Sequence, residues 1–258
     1  MSKTNTEVTD AKTVSLAQQM AYANEAGSGF EEADSSAYAI PFIQILQSSS
    51  PQCKKSDGAY IKGAEEGMLY NTVTQELYDG DEGIHAIPVH YTNRFNEWAP
   101  RESGGGLIGT FTPAALPPTT RNLRGQEITE GGNVLTDTRN HYVLILKGGV
   151  VSPALLSMAS TQIKKSRQWM SKMQGIKVKD PASGLFVTAA MYSREYKITT
   201  RAESNDKGSW YGYHVELVGE VTDPSTYAAA IDFRNAVKTG GATHSSGTST
   251  EEKTVDTF

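Results

Sequence analysis

MYSREYKITTRAESNDKGSWYGYHVELVGE, residues 191–220, decides the fold. Two segments rich in aromatic and β-branched residues, Met191–Ala202 and Ser209–Glu220, flank Asn205-Asp206-Lys207-Gly208, a cluster of strong turn formers. That pattern predicts a long antiparallel hairpin. Side chains alternate across a strand, so Tyr192, Arg194 and Tyr196 are expected on one face. On the second strand Tyr211 and Tyr213 share a face with Val215 and Leu217, which makes them core candidates. Trp210, on the face of His214, is then the better candidate to meet a ligand.

Working outward, the same reading predicts strands at Ala39–Gln47, Met68–Thr74, Gln75–Tyr78, Ile84–Trp98, Leu107–Phe111, His141–Lys147 and Val150–Met158. Gly148-Gly149 joins the last two as a hairpin. Residues 112–138, with Pro117-Pro118 and Gly131-Gly132, read as a long irregular insertion. Two helices are expected. Thr161–Ile176 has Ile163, Met170 and Met173 on one side; Ser225–Thr239 starts after Asp223-Pro224 and stops at Gly240-Gly241. A short helix between Ala11 and Glu25 is weakly encoded.

Many strands with few helices favour a mainly β (α+β) fold, an OB-like β-barrel with helical additions. The polar, Ser/Thr-rich ends set the boundaries. The expected division is 1–36 as a disordered or partly helical segment, 37–239 as a single β-rich domain, and 240–258 as a flexible acidic tail.

Charge is unevenly distributed. The net −5 divides into −4 for residues 1–36 and −2 for residues 240–258, which leaves +1 for the body. Within the body, Arg139, Lys147, Lys164, Lys165, Arg167, Lys172, Lys177 and Lys179 lie in a stretch, 138–179, without one Asp or Glu. A local patch of one sign attracts polyanions even on an acidic molecule.

Familiar catalytic patterns are missing. No Gly-Lys pair exists for a Walker A loop, and there is no HExxH or G-x-S-x-G. His85 and His90, five apart on an expected strand, should face opposite sides. Asp79-Gly80-Asp81-Glu82-Gly83 reads as a solvated turn rather than a cation loop. The single cysteine, Cys53, excludes an intrachain disulfide. It stands beside Lys54 and Lys55, which would lower its pKa, though an ordinary thiol is the simpler reading. The expectation is a non-enzymatic protein with no cofactor and no metal. The polar first ten residues, the lone cysteine and the lack of any ~20-residue apolar run point to the cytoplasm, away from membranes.

What is present is aromatic rings interleaved with cations. Single-stranded nucleic acid is held by bases stacking on flat rings while Arg or Lys tracks the phosphates. The candidate stacking residues are Trp98, Tyr192, Tyr196 and Trp210, and the candidate phosphate contacts are Arg94, Arg194, Lys164, Lys165 and Arg167. Arg94 and Trp98 share one face of their strand; Tyr91 and Phe95 share the other. The tail ends in Glu251, Glu252, Asp256 and Phe258, a terminal aromatic among acids that a basic pocket on a partner would capture.

Several segments resemble a group of tailed-bacteriophage proteins. They are Pro41–Gln47, Tyr60-Ile61-Lys62-Gly63-Ala64, Asn71-Thr72-Val73-Thr74, Tyr78-Asp79-Gly80, Gly104-Gly105-Gly106-Leu107 and Ser209-Trp210-Tyr211. That group comprises single-stranded DNA-binding proteins and neighbours of replication genes. The resemblance spans roughly residues 39–239. It implies an OB-like barrel and a tail that docks replication or recombination enzymes, and it transfers no binding residue.

The expected function is therefore single-stranded DNA binding in phage replication, recombination or repair, with room for a homo-oligomer. The alternatives are a structural or interaction protein, such as a virion component or host-factor inhibitor, and a strand-annealing recombinase.

Overall fold

The computed structural model describes residues 15–26, 28, 29, 31, 32, 39–206 and 208–239. Its organising feature is a ribbon of two long antiparallel strands, β4 (Ile84–Trp98) and β8 (Val134–Lys147), paired from His85–Leu146 to Trp98–Val134. Three short strands, β1 (Ile43–Ile45), β2 (Leu69–Asn71) and β3 (Leu77–Tyr78), precede the ribbon and form a separate sheet. Near its Ile84 end the ribbon is flanked by β9 (Val150–Ala159) on one side. On the other side stand β12 (Arg194–Asn205) and β13 (Gly208–Glu220). Near its Trp98 end the neighbours are β5 (Leu107–Phe111) and the hairpin of β6 (Thr119–Arg121) and β7 (Glu127–Thr129). The eight strands curl into a half-barrel, the mainly β, OB-like architecture that the sequence predicts.

Both faces of the ribbon are covered near its Ile84 end, which explains the continuous apolar run Tyr142-Val143-Leu144-Ile145. Val143 and Ile145 face a core completed by Ile43, Leu69, Tyr196, Ile198 and helix α2 (Ile163–Gly175), counted after α1 (Leu16–Asn24). Trp169 and Met173 bring that helix in. Tyr142 and Leu144 face a second core under α3 (Pro224–Lys238), which contributes Ala230 and Phe233. The start of α3 is encoded as expected: Asp223 accepts from the Thr226 amide at 2.7 Å, and Pro224 occupies the first turn.

The small β1–β2–β3 sheet spans the opening between the barrel edges. Phe42 bridges Leu155 of β9, while Gln47 reaches β13. The Gln47 side chain donates to the Tyr211 carbonyl at 2.9 Å and accepts from the Tyr211 amide at 2.8 Å. Gln162 accepts from the Tyr213 amide at 3.1 Å, and the Tyr213 hydroxyl donates to the Ile43 carbonyl at 2.6 Å. Side-chain amides thus stand in for a neighbour strand along this part of the β13 edge. The turn into β4 needs Gly83. Its φ is +69°, and a Cβ there would lie 2.2 Å from the Ile198 carbonyl oxygen.

The expected strands at Ala39–Gln47 and Met68–Thr74 shorten to Ile43–Ile45 and Leu69–Asn71, and the structure departs from the sequence expectations in four further places. The insertion is ordered: β6–β7 and the first residues of β8 fall within residues 112–138, where Glu97 accepts from Thr129 Oγ1 at 2.7 Å and from Asn133 at 2.8 Å. The predicted strand at Met191 starts later, because residues 191–193 form a 3-10 turn. A hairpin of β10 (Lys177–Lys179) and β11 (Phe186–Thr188) follows α2. Finally, a bulge between Pro88 and His90 reverses strand parity, so His85 and His90 share the α3-side face. Four residue steps along the partner strand still separate them by about 13 Å. His85 pairs instead with Glu195.

Candidate functional site

Four of the sequence-predicted residues converge. Lys164 and Lys165 on α2 line one open groove of about 530 Å³ with Trp210 of β13; Ser160, Thr161, Gln168, Glu203 and Asn205 complete it. Arg167 belongs to the adjoining surface of the same helix, with Lys164, Gln168, Ser171 and Lys172. These positions follow the helical repeat 164, 167, 168, 171, 172 and lie on the outer face, while Ser166, Trp169 and Met173 turn inward.

Trp210 is half-buried. Its indole N–H donates to Glu203 at 3.0 Å, which fixes the ring at the groove wall. Glu203 also forms an ion pair with Lys165. Gly212 lies under these side chains: a Cβ there would lie 2.5 Å from Lys165 Nζ and 3.0 Å from Gln162 Nε2, so both side-chain ends would have to shift.

Lys164 and Lys165 occupy the first turn of α2. Gln162 caps no amide there, and the turn holds no acid. Cations at that end oppose the helix dipole, at a cost of roughly 0.3–1 kcal/mol each. A bound anion would reverse the sign of that penalty.

The remaining predicted residues are elsewhere. Tyr196 is 1% exposed and packs edge-on against Trp169 at 5.5 Å, so it belongs to the core and offers no face to a base. Tyr192 lies in the 3-10 turn and packs on Tyr227 of α3 at 5.4 Å, within the second core. The triplet Tyr192-Arg194-Tyr196 therefore presents no common face. The Arg194 side chain is 11% exposed and committed to Glu220 at 2.8 Å and the Ser193 carbonyl at 2.9 Å. Arg94 and Trp98 do share a face, but it is the His90 side of β4, opposite the core that α2 completes. There burial, then Arg234, Lys238 and Arg94, hold the His90 pKa below its ordinary value. Glu251, Glu252, Asp256 and Phe258 lie outside the described residues.

Other expectations resolve simply. Asp79 Oδ1 accepts from the Asp81 and Glu82 amides at 2.8 Å each, so that carboxylate closes its own turn. Burial, then Glu66 and Glu65, push the Cys53 thiol upward. This outweighs Lys54 and overturns the lysine-activated alternative. Among the described residues, no three His, Cys, Asp or Glu side chains are placed to hold a metal, and no helix is long and apolar enough to cross a membrane.

Sequence reasoning missed Glu203, because it stands 38 residues from Lys165 and falls outside the acid-free stretch. Its presence makes a signed prediction. Glu203→Gln keeps an acceptor for Trp210 while releasing Lys165 and removing a negative charge. Affinity for a polyanionic strand should rise about two- to fivefold, the equivalent of roughly 0.5–1 kcal/mol for a part-exposed pair. Titration of both proteins with one oligonucleotide at equal salt checks the sign.

A family model described as Pam3 phage gp34-like protein matches residues 8–243. Neither the curated proteins nor the solved structures contain a match to this chain.

Proposed function

The chain belongs to the Pam3 phage gp34-like protein family, and from that premise we propose that this bacteriophage protein binds single-stranded DNA through the groove between α2 and the β12–β13 hairpin. One observation carries the reading: an indole ring and the lysines of a separate element, Trp210 with Lys164 and Lys165, line the same solvent-open groove. A base stacks on Trp210. Lys164 and Lys165 take the adjacent phosphates, and Arg167 and Lys172 continue the contact along the outer helix face. The uncapped, cationic first turn of α2 supports it. Lys165 has Glu203 as its partner, but at Lys164 a local rule is broken without structural gain, which is a mark of a functional surface. Binding to a strand rather than a duplex follows from the ring, because a base must be unstacked to lie on it. Replication, recombination or repair is the setting in which a phage exposes such strands. The tail from Glu251 to Phe258 supplies the partner contact in this reading.

The test is titration with an oligothymidylate, read by tryptophan fluorescence at about 50 and 200 mM salt. The chain has three tryptophans, and Trp169 is sealed in the core. Quenching is expected in the natural protein and should largely vanish in Trp210→Phe, where binding is followed instead with a labelled oligonucleotide. Three or four neutralised phosphates give a salt slope of about −2 to −3. Indifference to the oligonucleotide at both salts would overturn the reading and favour a structural role in the virion.

A further inference from the structure

We propose that Phe186, the first residue of β11 in the β10–β11 hairpin, is a second base-stacking platform at the far end of a track that begins at Trp210. This rests on the nucleic-acid reading above and extends it to a site beyond the groove.

Pairing in the hairpin places Lys177 opposite Thr188, Val178 opposite Val187, and Lys179 opposite Phe186. Directly opposed residues share a face of a two-stranded ribbon. Lys177, Lys179, Phe186 and Thr188 therefore form one face, and Val178 and Val187 the other. Phe186 is 73% exposed, and both lysines are exposed as well. Lys177 donates to Thr188 Oγ1 at 2.6 Å, which steadies its ammonium on that face. The nearby carboxylate, Asp180, accepts from Ser183 Oγ at 2.5 Å and from the Ala182 amide at 3.1 Å, which turns its oxygens into the turn while leaving it ionised.

A phenylalanine left in water on a face with two lysines contributes nothing to either core. A flat ring flanked by cations is the arrangement a single strand uses. Continuity gives the track its direction. Helix α2 runs about 20 Å from the Trp210 groove to its C-terminal end, and the chain enters β10 two residues after Gly175. Lys164, Arg167 and Lys172 mark the way along the outer face of the helix, and Lys177, Lys179 and Phe186 finish it.

The experiment compares the full chain with Phe186→Ala and Phe186→Tyr on two labelled oligothymidylates. One has about 4 nucleotides, enough for the groove alone, and the other about 16, enough for the track. Phe186→Ala should bind the long strand about 5- to 100-fold more weakly and the short one unchanged. Phe186→Tyr, which keeps the ring, should restore the long-strand affinity. Equal binding of both strands by Phe186→Ala and the natural protein would overturn the platform while leaving the groove intact. The same overturning result accompanied by a changed particle mass in light scattering would assign the hairpin to contacts between copies of the chain. Failure of the natural protein to bind either strand would sink the groove and the platform together.

Discussion

Replacing Lys164, Arg167 and Lys172 together with glutamate should lower the affinity for single-stranded DNA by at least about a hundredfold at low salt. Each substitution deletes a charge-assisted phosphate contact of roughly 1.5–3 kcal/mol and puts a carboxylate in its place. The salt slope should shrink by about 2, since each lost phosphate contact on a single strand accounts for about 0.7. Stability should hardly change. All three side chains lie on the outer face of α2, and Lys164→Glu places a carboxylate in a first turn that now holds two lysines and no acid. A negative charge there complements the helix dipole by about 0.3 kcal/mol or more, and Lys172→Glu in the last turn opposes it by a similar amount. Loss of binding with a nearly unchanged melting temperature would separate function from folding. Unaltered binding would remove α2 from the interface.

The outcome depends on how α2 is encoded, and most of that is readable in its own residues. Helical spacing gives the inward Met173 and the outward Lys164, Arg167 and Lys172 without reference to the rest of the chain, but the buried side is centred on Ser166, Trp169 and Met173, rotated from the expected Ile163, Met170 and Met173. The β12–β13 hairpin is equally local, because Asn205-Asp206-Lys207-Gly208 dictates the reversal and alternation dictates the strands. Tyr196 is the misleading residue. Strand alternation correctly sets it opposite its neighbours, yet alternation cannot say which face is buried, and at this strand Trp169 arrives from a helix 27 positions earlier to cover it. Tyr192 fails for a different reason, since the 3-10 turn at 191–193 breaks the alternation before it starts. The acid-free stretch 138–179 misleads in the same non-local way. Lys165 finds Glu203, and Lys147 finds Glu76, across distances in sequence that no window reveals. The β10–β11 hairpin escapes because its strands are three residues each, too short for periodicity to register. The bulge at Val89 is also invisible: one extra residue transfers His90 to the face of His85, and only the pairing with Tyr142 exposes the shift.

One buried group that plays no part in the proposed interface should dominate the response to acid. His141 has no exposed surface; its ring lies 4.6 Å from that of Trp169, and its Nε2 is 2.7 Å from Ser166 Oγ. Burial drops its pKa to about 3. The ordinary value near 6.5 applies once the chain unfolds. At pH 7 both states are largely neutral and the histidine costs little. Below about pH 6.5 the unfolded chain takes up a proton that the folded protein refuses, so stability falls by up to about 1.4 kcal/mol per pH unit toward pH 3. The full effect is on the order of 5 kcal/mol, comparable to the whole stability of a marginal domain. Between about pH 6.5 and 5.5 the carboxylates held low, such as Glu97 and Asp223, are ionised in both states. That window therefore isolates histidine. His90, also held below its ordinary value, contributes in the same direction and leaves a residual slope. Urea midpoints for the natural protein should drop steeply across it, whereas His141→Gln, which retains a hydrogen-bonding amide for Ser166, should show a much flatter dependence at whatever absolute stability it has. In the natural protein the His141 imidazole resonances should not titrate above about pH 4. An imidazole titrating near its ordinary value, or equal slopes in the two proteins, would refute the assignment.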